Sequence, residues 1–427
     1  MRASWIALSG ALALGAFAGS PPARARDVTF LSTQMRPIEE AQRMRTEVLK
    51  ASPVPVRFVP EEPSTLLIHL QADRNGSHTI GLVGALHGEL APLAISNLLA
   101  PLDDMASLLT QRGVPAQLVT FAHFGAPHLM YVPWTQSTYI MAANKKALAY
   151  LPKGAKLDAL TYDQLGQWAA AVHKATGQRM LGFPAGPTGL MARFLEGYLL
   201  PAYTGGVVTT YRSPAAAAMW QAFKALWKQV NPNSANYNFM QEPLLSGDVW
   251  IAWDHVARLQ DAFRKQPDQF VAFPAPAGPK GRSFMPVLVG LAVPASAPDA
   301  AAAKQVIDYL LQPATQIATL RTSTFFPVVR GAIPGNLDPG LRLEAAAVAQ
   351  QQSAPDARPA LLPVGLGTHG GEFDKVFVDT FQRVVFRGQP VKRVLDVEAR
   401  QMQRVLDAAK APCWLPDPAS SGTCQVK

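Results

Sequence analysis

The alternation of short apolar runs with helical segments after residue 26 is the feature that most constrains the fold. A helix that Pro37 opens and that continues to Lys50 separates the first two of three strand-forming runs, Val28–Leu31, Val54–Val59 and Thr79–Val83. Strand–helix–strand alternation of this kind predicts a parallel α/β sheet. Ligands of such sheets bind at the loops that leave the carboxyl ends of the strands. We therefore predict that Ser32–Met35 and Ala85–Glu89 lie on one rim of the sheet.

Tyr131–Lys146 combines an aromatic opening, small polar side chains and an apolar end. We interpret it as a strand that leaves one lobe, exposes Trp134–Thr138 at a crossing, and enters a second lobe. Aromatic faces beside hydroxyl and amide groups are chemistry that binds a sugar, because the ring stacks and the hydroxyls are hydrogen-bonded. The alternative is a core strand whose polar residues face solvent, and this stretch alone favours neither interpretation.

The first 25 residues have the pattern of a secretory signal peptide. Arg2 precedes an apolar run that is too short to span a bilayer, and Ala23-Arg24-Ala25 predicts cleavage after Ala25. We therefore expect an exported, periplasmic protein. About four hundred mature residues predict two domains rather than one.

The net charge of +9 arises from 39 Lys and Arg against 30 Asp and Glu. The basic residues are scattered singly and form no stripe, so we expect no nucleic-acid partner. The two cysteines, Cys413 and Cys424, lie close together in the C-terminal tail. In an oxidising compartment they are expected to form a disulfide that holds the tail.

Leu244–Leu259 is the second informative stretch. It predicts a turn at Gly247-Asp248, a buried strand at Val249–Ala252, and an exit at Trp253-Asp254-His255. A Trp followed by a carboxylate at a strand end can form a sugar platform with a hydrogen-bond acceptor. Equally, the Trp can be structural while Asp254 caps the following helix.

Several helices can be predicted from their ends and apolar faces. The capping box Thr161–Gln164 opens one helix, in which Trp168 is a core residue. Asp299 caps another, which Pro313 ends. The tyrosine before the Gly205-Gly206 turn can face either the core or a cleft. Two further helices have apolar faces that predict packing rather than ligand contact: Met219, Phe223, Leu226, Trp227 and Val230; Phe373, Val376, Phe377 and Thr380.

No known catalytic or metal-binding motif occurs in the sequence. It lacks a G-x-S-x-G elbow, an H-E-x-x-H pair and a phosphate-binding G-x-x-x-x-G-K-[ST] loop. His87-Gly88-Glu89 matches H-x-E, but the P-C-x-x-C segment of zinc deaminases is missing. We therefore expect no enzyme activity, no cofactor and no metal.

The order of these segments resembles the extracellular solute-binding proteins of ABC importers, in the carbohydrate-binding family that includes maltose and glycerol-3-phosphate binders. The resemblance extends over nearly the whole mature chain. Its motifs are Leu99–Asp103, the crossing segment from Pro133 to Lys145, Leu160–Leu165, Gly205-Gly206, Leu245–Val249 and Phe326–Val328.

The resemblance implies a type II periplasmic-binding-protein fold, in which two α/β lobes close on one ligand. The N-terminal lobe would comprise residues 26–136 and 285–330, and the C-terminal lobe residues 137–284 and 331–427. We expect a monomer that delivers a carbohydrate to an inner-membrane permease. Ligand contacts are expected from Gln34, Met35, His87, Glu89, Trp134, Gln136, Ser137, Tyr203, Trp253, Asp254 and His255.

The sequence also departs from the family. Phe284-Met285-Pro286 stands where members usually have glycine, Gln34-Met35 replaces an aromatic, and Ala143 replaces the Tyr before the crossing Asn. These changes leave the substrate open. A phosphorylated or anionic polyol, which Arg258 and the basic surplus favour, is one alternative. An exported glycan-acting enzyme and a scaffold or adhesin are two others.

Overall fold

The computed structural model describes residues 27–323, 325–331 and 334–427. The predicted signal peptide and its cleavage site lie outside the described residues. The strands are β1 Val28–Ser32, β2 Val56–Pro60, β3 Ile80–Leu86, β4 Val132–Ser137, β5 Tyr139–Asn144, β6 Leu181–Gly182, β7 Ile251–His255, β8 Phe270–Phe273, β9 Arg282–Phe284, β10 Val287–Ala292, β11 Phe326–Pro327 and β12 Ala357–Pro359.

The α-helices alternate with these strands and are joined by short 3-10 and π turns. They are α1 Ile38–Arg43, α2 Leu66–Asn75, α3 His87–Ile95, α4 Ala106–Gln111, α5 Ala116–Phe121, α6 Tyr162–Thr176, α7 Met191–Phe194, α8 Leu200–Thr204, α9 Pro214–Trp227, α10 Gln241–Ser246, α11 Gln260–Lys265, α12 Ala300–Leu310, α13 Pro313–Ser323, α14 Pro339–Ser353, α15 Gly370–Phe381 and α16 Val391–Ala409.

The larger sheet has six strands in the order β11-β4-β10-β3-β1-β2. Strand β1 pairs in parallel with both β2 and β3, which confirms the predicted parallel arrangement for these three strands. Strand β10 lies between β3 and β4 and is antiparallel to both. Because β3 and β4 therefore run in the same direction, the carboxyl ends of β1, β2, β3 and β4 share one edge of the sheet.

The smaller of the two main sheets has four strands in the order β6-β7-β5-β8, and β9 pairs in parallel with β12 in a separate two-stranded sheet. Along β5, Ile140 and Ala142 contribute to one apolar cluster, while Met141 and Ala143 contribute to the other. Side chains alternate between the two faces of a strand, so both faces of this sheet are covered. A continuous apolar run such as this one is typical of a strand buried on both faces.

Three segments connect the two sheets, and we call the region where they pass the junction. Strand β4 belongs to the larger sheet and β5 to the smaller one, so the first segment crosses at Thr138. The second crosses at Met285-Pro286, before β10, and the third follows β11 and leads to α14, which packs on β8 and α11. The fold is thus a two-lobed α/β fold, with the six-stranded sheet in the N-terminal lobe and the four-stranded sheet in the C-terminal lobe.

Most of the helix predictions are confirmed. The hydroxyl of Thr161 accepts from the Gln164 N–H, Gly177 ends α6 in the left-handed conformation, and Trp168 is fully buried. Asp299 caps α12. Pro313, however, starts α13 rather than ending α12, because its ring suits the first turn of a helix.

The strand predicted at Val249–Ala252 lies two residues later. Strand β7 spans Ile251–His255, so Trp253–His255 form its second half and are not an exit loop. Val249 is buried in the turn that precedes the strand, where its N–H donates to the Pro243 carbonyl. Its burial explains why it looks like a strand residue in the sequence.

None of the helices in the described ranges combines the length and the apolar character needed to cross a membrane.

A polar junction between the lobes as the candidate ligand site

The N-terminal lobe contributes a carboxylate just beyond the carboxyl end of β3, on the sheet edge where β4 also ends. Glu89, in the first turn of α3, accepts from the Thr33 hydroxyl at 2.6 Å and from the Leu86 N–H at 2.9 Å. Gln34 donates to the same Thr33 hydroxyl oxygen at 3.2 Å. Burial raises the pKa of Glu89 although these hydrogen bonds favour its charged form. The structure therefore places Gln34 and Glu89 together as a half-buried polar group.

Met35 and His87 lie next to this group but point into the lobe. Met35 is buried. The Nδ1 atom of His87 lies 2.9 Å from the Tyr131 hydroxyl, and its ring stacks on Phe124. Burial lowers the pKa of His87 to about 4, so the imidazole is neutral at pH 7. His87 is therefore a packing residue in this structure.

A hydrogen bond between Ser137 and His255 links the two sheets across the junction. The Ser137 Oγ atom lies 2.9 Å from Nε2 of His255. The N–H of Ala257 donates to Nδ1 of the same imidazole, which places the ring hydrogen of the neutral form on Nε2. Burial and the nearby Arg258 lower the pKa of His255 to about 3. His255 therefore donates to Ser137, whose own hydroxyl hydrogen can bind a further acceptor.

Gln136 makes a second link, between β4 and helix α14. Its carboxamide oxygen accepts from Gln352 at 2.9 Å, and its Nε2 donates to the Pro327 carbonyl at 3.2 Å. Gln136 thereby joins the first and the third connecting segments.

A third group of bonds surrounds Thr138, the residue at the first crossing. Its hydroxyl donates to the Met285 carbonyl at 2.9 Å and contacts the Tyr198 hydroxyl at 3.0 Å. Gln351 donates to the same hydroxyl at 3.2 Å. All three connecting segments are thus tied to one buried polar cluster. Met285, the departure from the family's glycine, is accommodated because Gly197 has no side chain where the Met285 side chain packs.

The prediction that Trp134–Thr138 is exposed at the crossing is wrong. Trp134 and Trp253 are both 0% exposed. Trp134 packs on Phe30, and Trp253 stacks on Tyr139 at 4.9 Å between the ring centroids. Phe194 and Tyr198 also pack edge-on against Trp253. Neither ring presents a face to solvent in this structure.

Asp254 is buried behind His255 and does not cap the following helical turn. It accepts from the N–H groups of Met240 and His255, and His255 itself provides the cap. Burial raises the pKa of Asp254 to about 7, although Arg258 and the two backbone donors oppose the shift. The alternative in which Asp254 caps the helix is therefore wrong.

Sequence reasoning missed a charged cluster beside the junction, formed by Arg193, Glu196 and Asp374. Arg193 forms ion pairs with Glu196 and, at 2.9 Å, with Asp374. Glu196 is 2% exposed, and burial raises its pKa against the effect of Arg193. Arg193 and Glu196 also interact electrostatically with the phenol of Tyr139, the first residue after the crossing. The i,i+3 spacing of Arg193 and Glu196 is visible in the sequence, whereas Asp374 lies 181 residues away.

The remaining predicted residues lie elsewhere. Tyr203 is on α8 and lines a cavity in the C-terminal lobe. Tyr162 and Asp163 line the same cavity. Cys413 and Cys424 are joined by a disulfide in the tail. In the described part of the chain, no group of three or more His, Cys, Asp or Glu side chains could hold a metal ion.

Comparison with known proteins agrees with this architecture. Residues 44–339 match the model of the bacterial extracellular solute-binding protein family, and the chain belongs to that family. A search of curated proteins gives no match.

Solved structures with the same fold cover almost the whole chain. UgpB of Mycobacterium tuberculosis, in complex with glycerophosphocholine, is 18% identical with a TM-score of 0.66, over 90% of this chain and 99% of that one. Maltose-bound MalE3 of T. maritima is 15% identical with a TM-score of 0.66, over 89% and 100%. The GacH receptor of Streptomyces glaucescens, also solved with acarbose, is 17% identical with a TM-score of 0.64, over 89% and 98%. The family and these neighbours are binding proteins.

Proposed function

We propose that this protein captures a neutral carbohydrate or polyol at the junction and delivers it to the permease of an ABC importer. Gln34 and Glu89 would bind the ligand from the N-terminal lobe, while Ser137, whose hydroxyl is oriented by His255, would bind it at the crossing. Trp134 and Trp253 would support these groups by packing behind them. A ligand that contacts both lobes at once shifts the population toward the closed form.

We propose a neutral ligand because Arg36, Arg193 and Arg258 already have partners. Arg193 is held by Glu196 and Asp374, and Arg36 forms an ion pair with Glu62. Arg258 donates to two backbone carbonyls and lies over the Phe239 ring. A phosphate would have to displace one of these partners. Hydroxyl groups, in contrast, can donate to Glu89 and accept from Ser137 without breaking an ion pair.

The anionic polyol remains the second candidate, because the structural neighbour UgpB was solved with glycerophosphocholine. We further propose that the mature chain begins after Ala25, works in the periplasm as a monomer, and makes or breaks no covalent bond of its ligand. A glycan-acting enzyme would instead turn over a chromogenic glycoside.

A thermal-shift screen of the mature protein tests the proposal. Mono- and oligosaccharides, polyols and their phosphates are compared at low and high salt, because a ligand that binds the folded state raises its Tm. We expect a neutral sugar or polyol to raise Tm equally at both salt concentrations. A shift with phosphorylated compounds alone, lost at high salt, would favour the anionic alternative.

The variant Glu89→Gln then tests the site. It keeps the shape of the side chain but removes its charge, so the affinity for the neutral ligand should fall by about 1.5 kcal/mol. Glu47→Gln, an exposed change in the same lobe, is the control and should leave Kd unchanged. Equal affinities of the two variants would remove Glu89 from the binding site.

A further inference from the structure

The chain after α16 is folded back into a closed loop, which we call the tail loop and define as residues 411–424. The disulfide between Cys413 and Cys424 joins its two ends. The Cys413 N–H donates to the Ser420 hydroxyl at 2.9 Å, and the Cys424 N–H donates to the Ala411 carbonyl at 2.9 Å. Because its ends are joined covalently, the loop has far fewer conformations available than a free tail.

Asp417 anchors the tail loop to the C-terminal lobe. Its carboxylate is 2% exposed and accepts hydrogen bonds from the three consecutive N–H groups of residues 207–209, at 2.8 to 2.9 Å. Trp414 adds an apolar contact, since its ring packs edge-on against Phe373 of α15 at 5.3 Å between the centroids. A buried carboxylate with several backbone donors is held firmly, because leaving them unpaired is costly. The loop therefore has a fixed position on this lobe.

The other side of the tail loop contacts residues 361–365, which we call the bridging segment. The Leu361 N–H donates to the Leu415 carbonyl at 3.0 Å. A Cβ atom at Gly365 would lie 3.3 Å from Cδ of Pro412. The backbone of the bridging segment thus packs directly on the tail loop at both of its ends.

The bridging segment in turn contacts the N-terminal lobe. The carbonyl oxygen of Pro363 lies 2.6 Å from where a Cβ atom of Gly88 would be, in the first turn of α3 and next to Glu89. The tail loop also reaches the space between the lobes, because Leu415 and Gln117 of α5 line one cavity of about 380 Å³. Away from the junction, the lobes therefore meet through three layers: α3, the bridging segment and the tail loop.

We propose that the tail loop is a strap that holds the bridging segment against α3 and so sets how far the two lobes close. The connecting segments at the junction define the axis of a hinge movement, whereas a contact away from the axis defines where the movement stops. Without the disulfide, the tail loop gains conformational freedom, the bond between Leu361 and Leu415 is lost, and the bridging segment retreats from Gly88. This inference concerns lobe closure and does not depend on the identity of the ligand.

Interlobe distances measured with spin labels test the strap in the absence of any ligand. The labels are attached to the mature protein at two exposed positions, Ile95→Cys in the N-terminal lobe and Lys174→Cys in the C-terminal lobe. The double variant Cys413→Ser/Cys424→Ser should give a broader distribution with a mean longer by several ångström, at a temperature well below its Tm. A distribution identical to that of the disulfide-bonded protein would overturn the proposal, since the tail would then hold only itself in place.

A variant that is destabilised far from the tail separates this effect from a general loss of stability. Trp168→Phe removes the hydrogen bond from the indole to the Ala147 carbonyl in the core of the C-terminal lobe. It should lower Tm but leave the distance distribution unchanged. Equal broadening in Trp168→Phe and in the double serine variant would contradict the assignment.

Two further measurements keep the test independent of how the double serine variant folds. Asp417→Asn retains the disulfide but weakens the anchor, and should lengthen the mean interlobe distance in the same direction. Complete reduction of the wild type, in which Cys413 is partly exposed, should increase the radius of gyration measured by small-angle scattering. A reduced wild type with an unchanged radius would refute the role of the strap.

Discussion

The two lobes approach the junction with different chemistry. The N-terminal lobe contributes a half-buried carboxylate, Glu89, that is held by nearby hydroxyl and backbone donors. The C-terminal lobe contributes a cluster of paired charges beside the junction, in which buried Glu196 pairs with partly buried Arg193. Loss of one partner of a buried ion pair strongly lowers the free energy of unfolding, whereas loss of one partner of an exposed pair changes it little. The C-terminal side of the junction therefore depends on a buried ion pair, whereas the N-terminal side has a carboxylate held by neutral donors.

The sharpest test of this difference is Arg193→Ala. It leaves Glu196 buried without its cation, and the free energy of unfolding should fall by about 3–5 kcal/mol. Arg36→Ala, which breaks the exposed pair with Glu62 in the other lobe, should cost less than about 1 kcal/mol. Denaturant unfolding measures both. Adding Glu196→Gln to Arg193→Ala should recover part of the loss, and equal costs for the two arginines would refute the contrast.

Asp254 should make the C-terminal lobe less stable as the pH rises. Its pKa is raised from 3.8 to about 7 in the folded state, so its contribution is fully present below pH 3.8 and is lost as the pH rises through 7. The stability of the wild type relative to Asp254→Asn should fall by about 4 kcal/mol over this range. Unfolding curves at several pH values test it, with the exposed Asp268→Asn as control. A difference that does not vary with pH would show that Asp254 stays charged.

His87 should have the opposite effect in the N-terminal lobe. Its pKa is lowered from 6.5 to about 4, so its contribution is fully present above pH 6.5 and is lost as the pH falls through 4. As the pH falls from 6.5 to 4, the free energy of unfolding of the wild type should decrease by about 3 kcal/mol relative to that of His87→Asn. His78→Asn, at an exposed position, provides the matched comparison. The prediction fails if the two variants show the same pH profile.

Gly88→Ala tests how the lobes meet. A Cβ atom at Gly88 would lie 2.6 Å from the carbonyl oxygen of Pro363 in the C-terminal lobe. Relief of this contact requires the lobes to separate, so we expect ligand affinity to fall by about tenfold, or 1.4 kcal/mol. Gly371→Ala, where a Cβ meets nothing within 4 Å, should bind normally. Small-angle scattering should show a larger radius of gyration for Gly88→Ala, and an unchanged radius with normal affinity would contradict the expectation.

Local patterns made much of the fold predictable. The Thr161–Gln164 capping box and Gly177 defined α6, because hydrogen bonds within a few residues determine helix ends. Strand β7 was displaced by two residues, since buried Val249 resembles a strand residue in sequence. Trp134 and Trp253 were expected at a surface and are buried, because residues distant in the sequence pack on them: Phe30 on Trp134, and Phe194 and Tyr198 on Trp253. For the same reason, the pairing of Arg193 with Asp374 could not be read from the sequence.

The position of β10 has a consequence for the time course of folding. This strand separates β3 from β4 in the larger sheet, yet it begins at residue 287 of 427. Until about two thirds of the chain has been synthesised, β3 and β4 each lack a neighbour, and the N-terminal lobe has no closed sheet. The late synthesis of one central strand therefore delays completion of the lobe that is synthesised first.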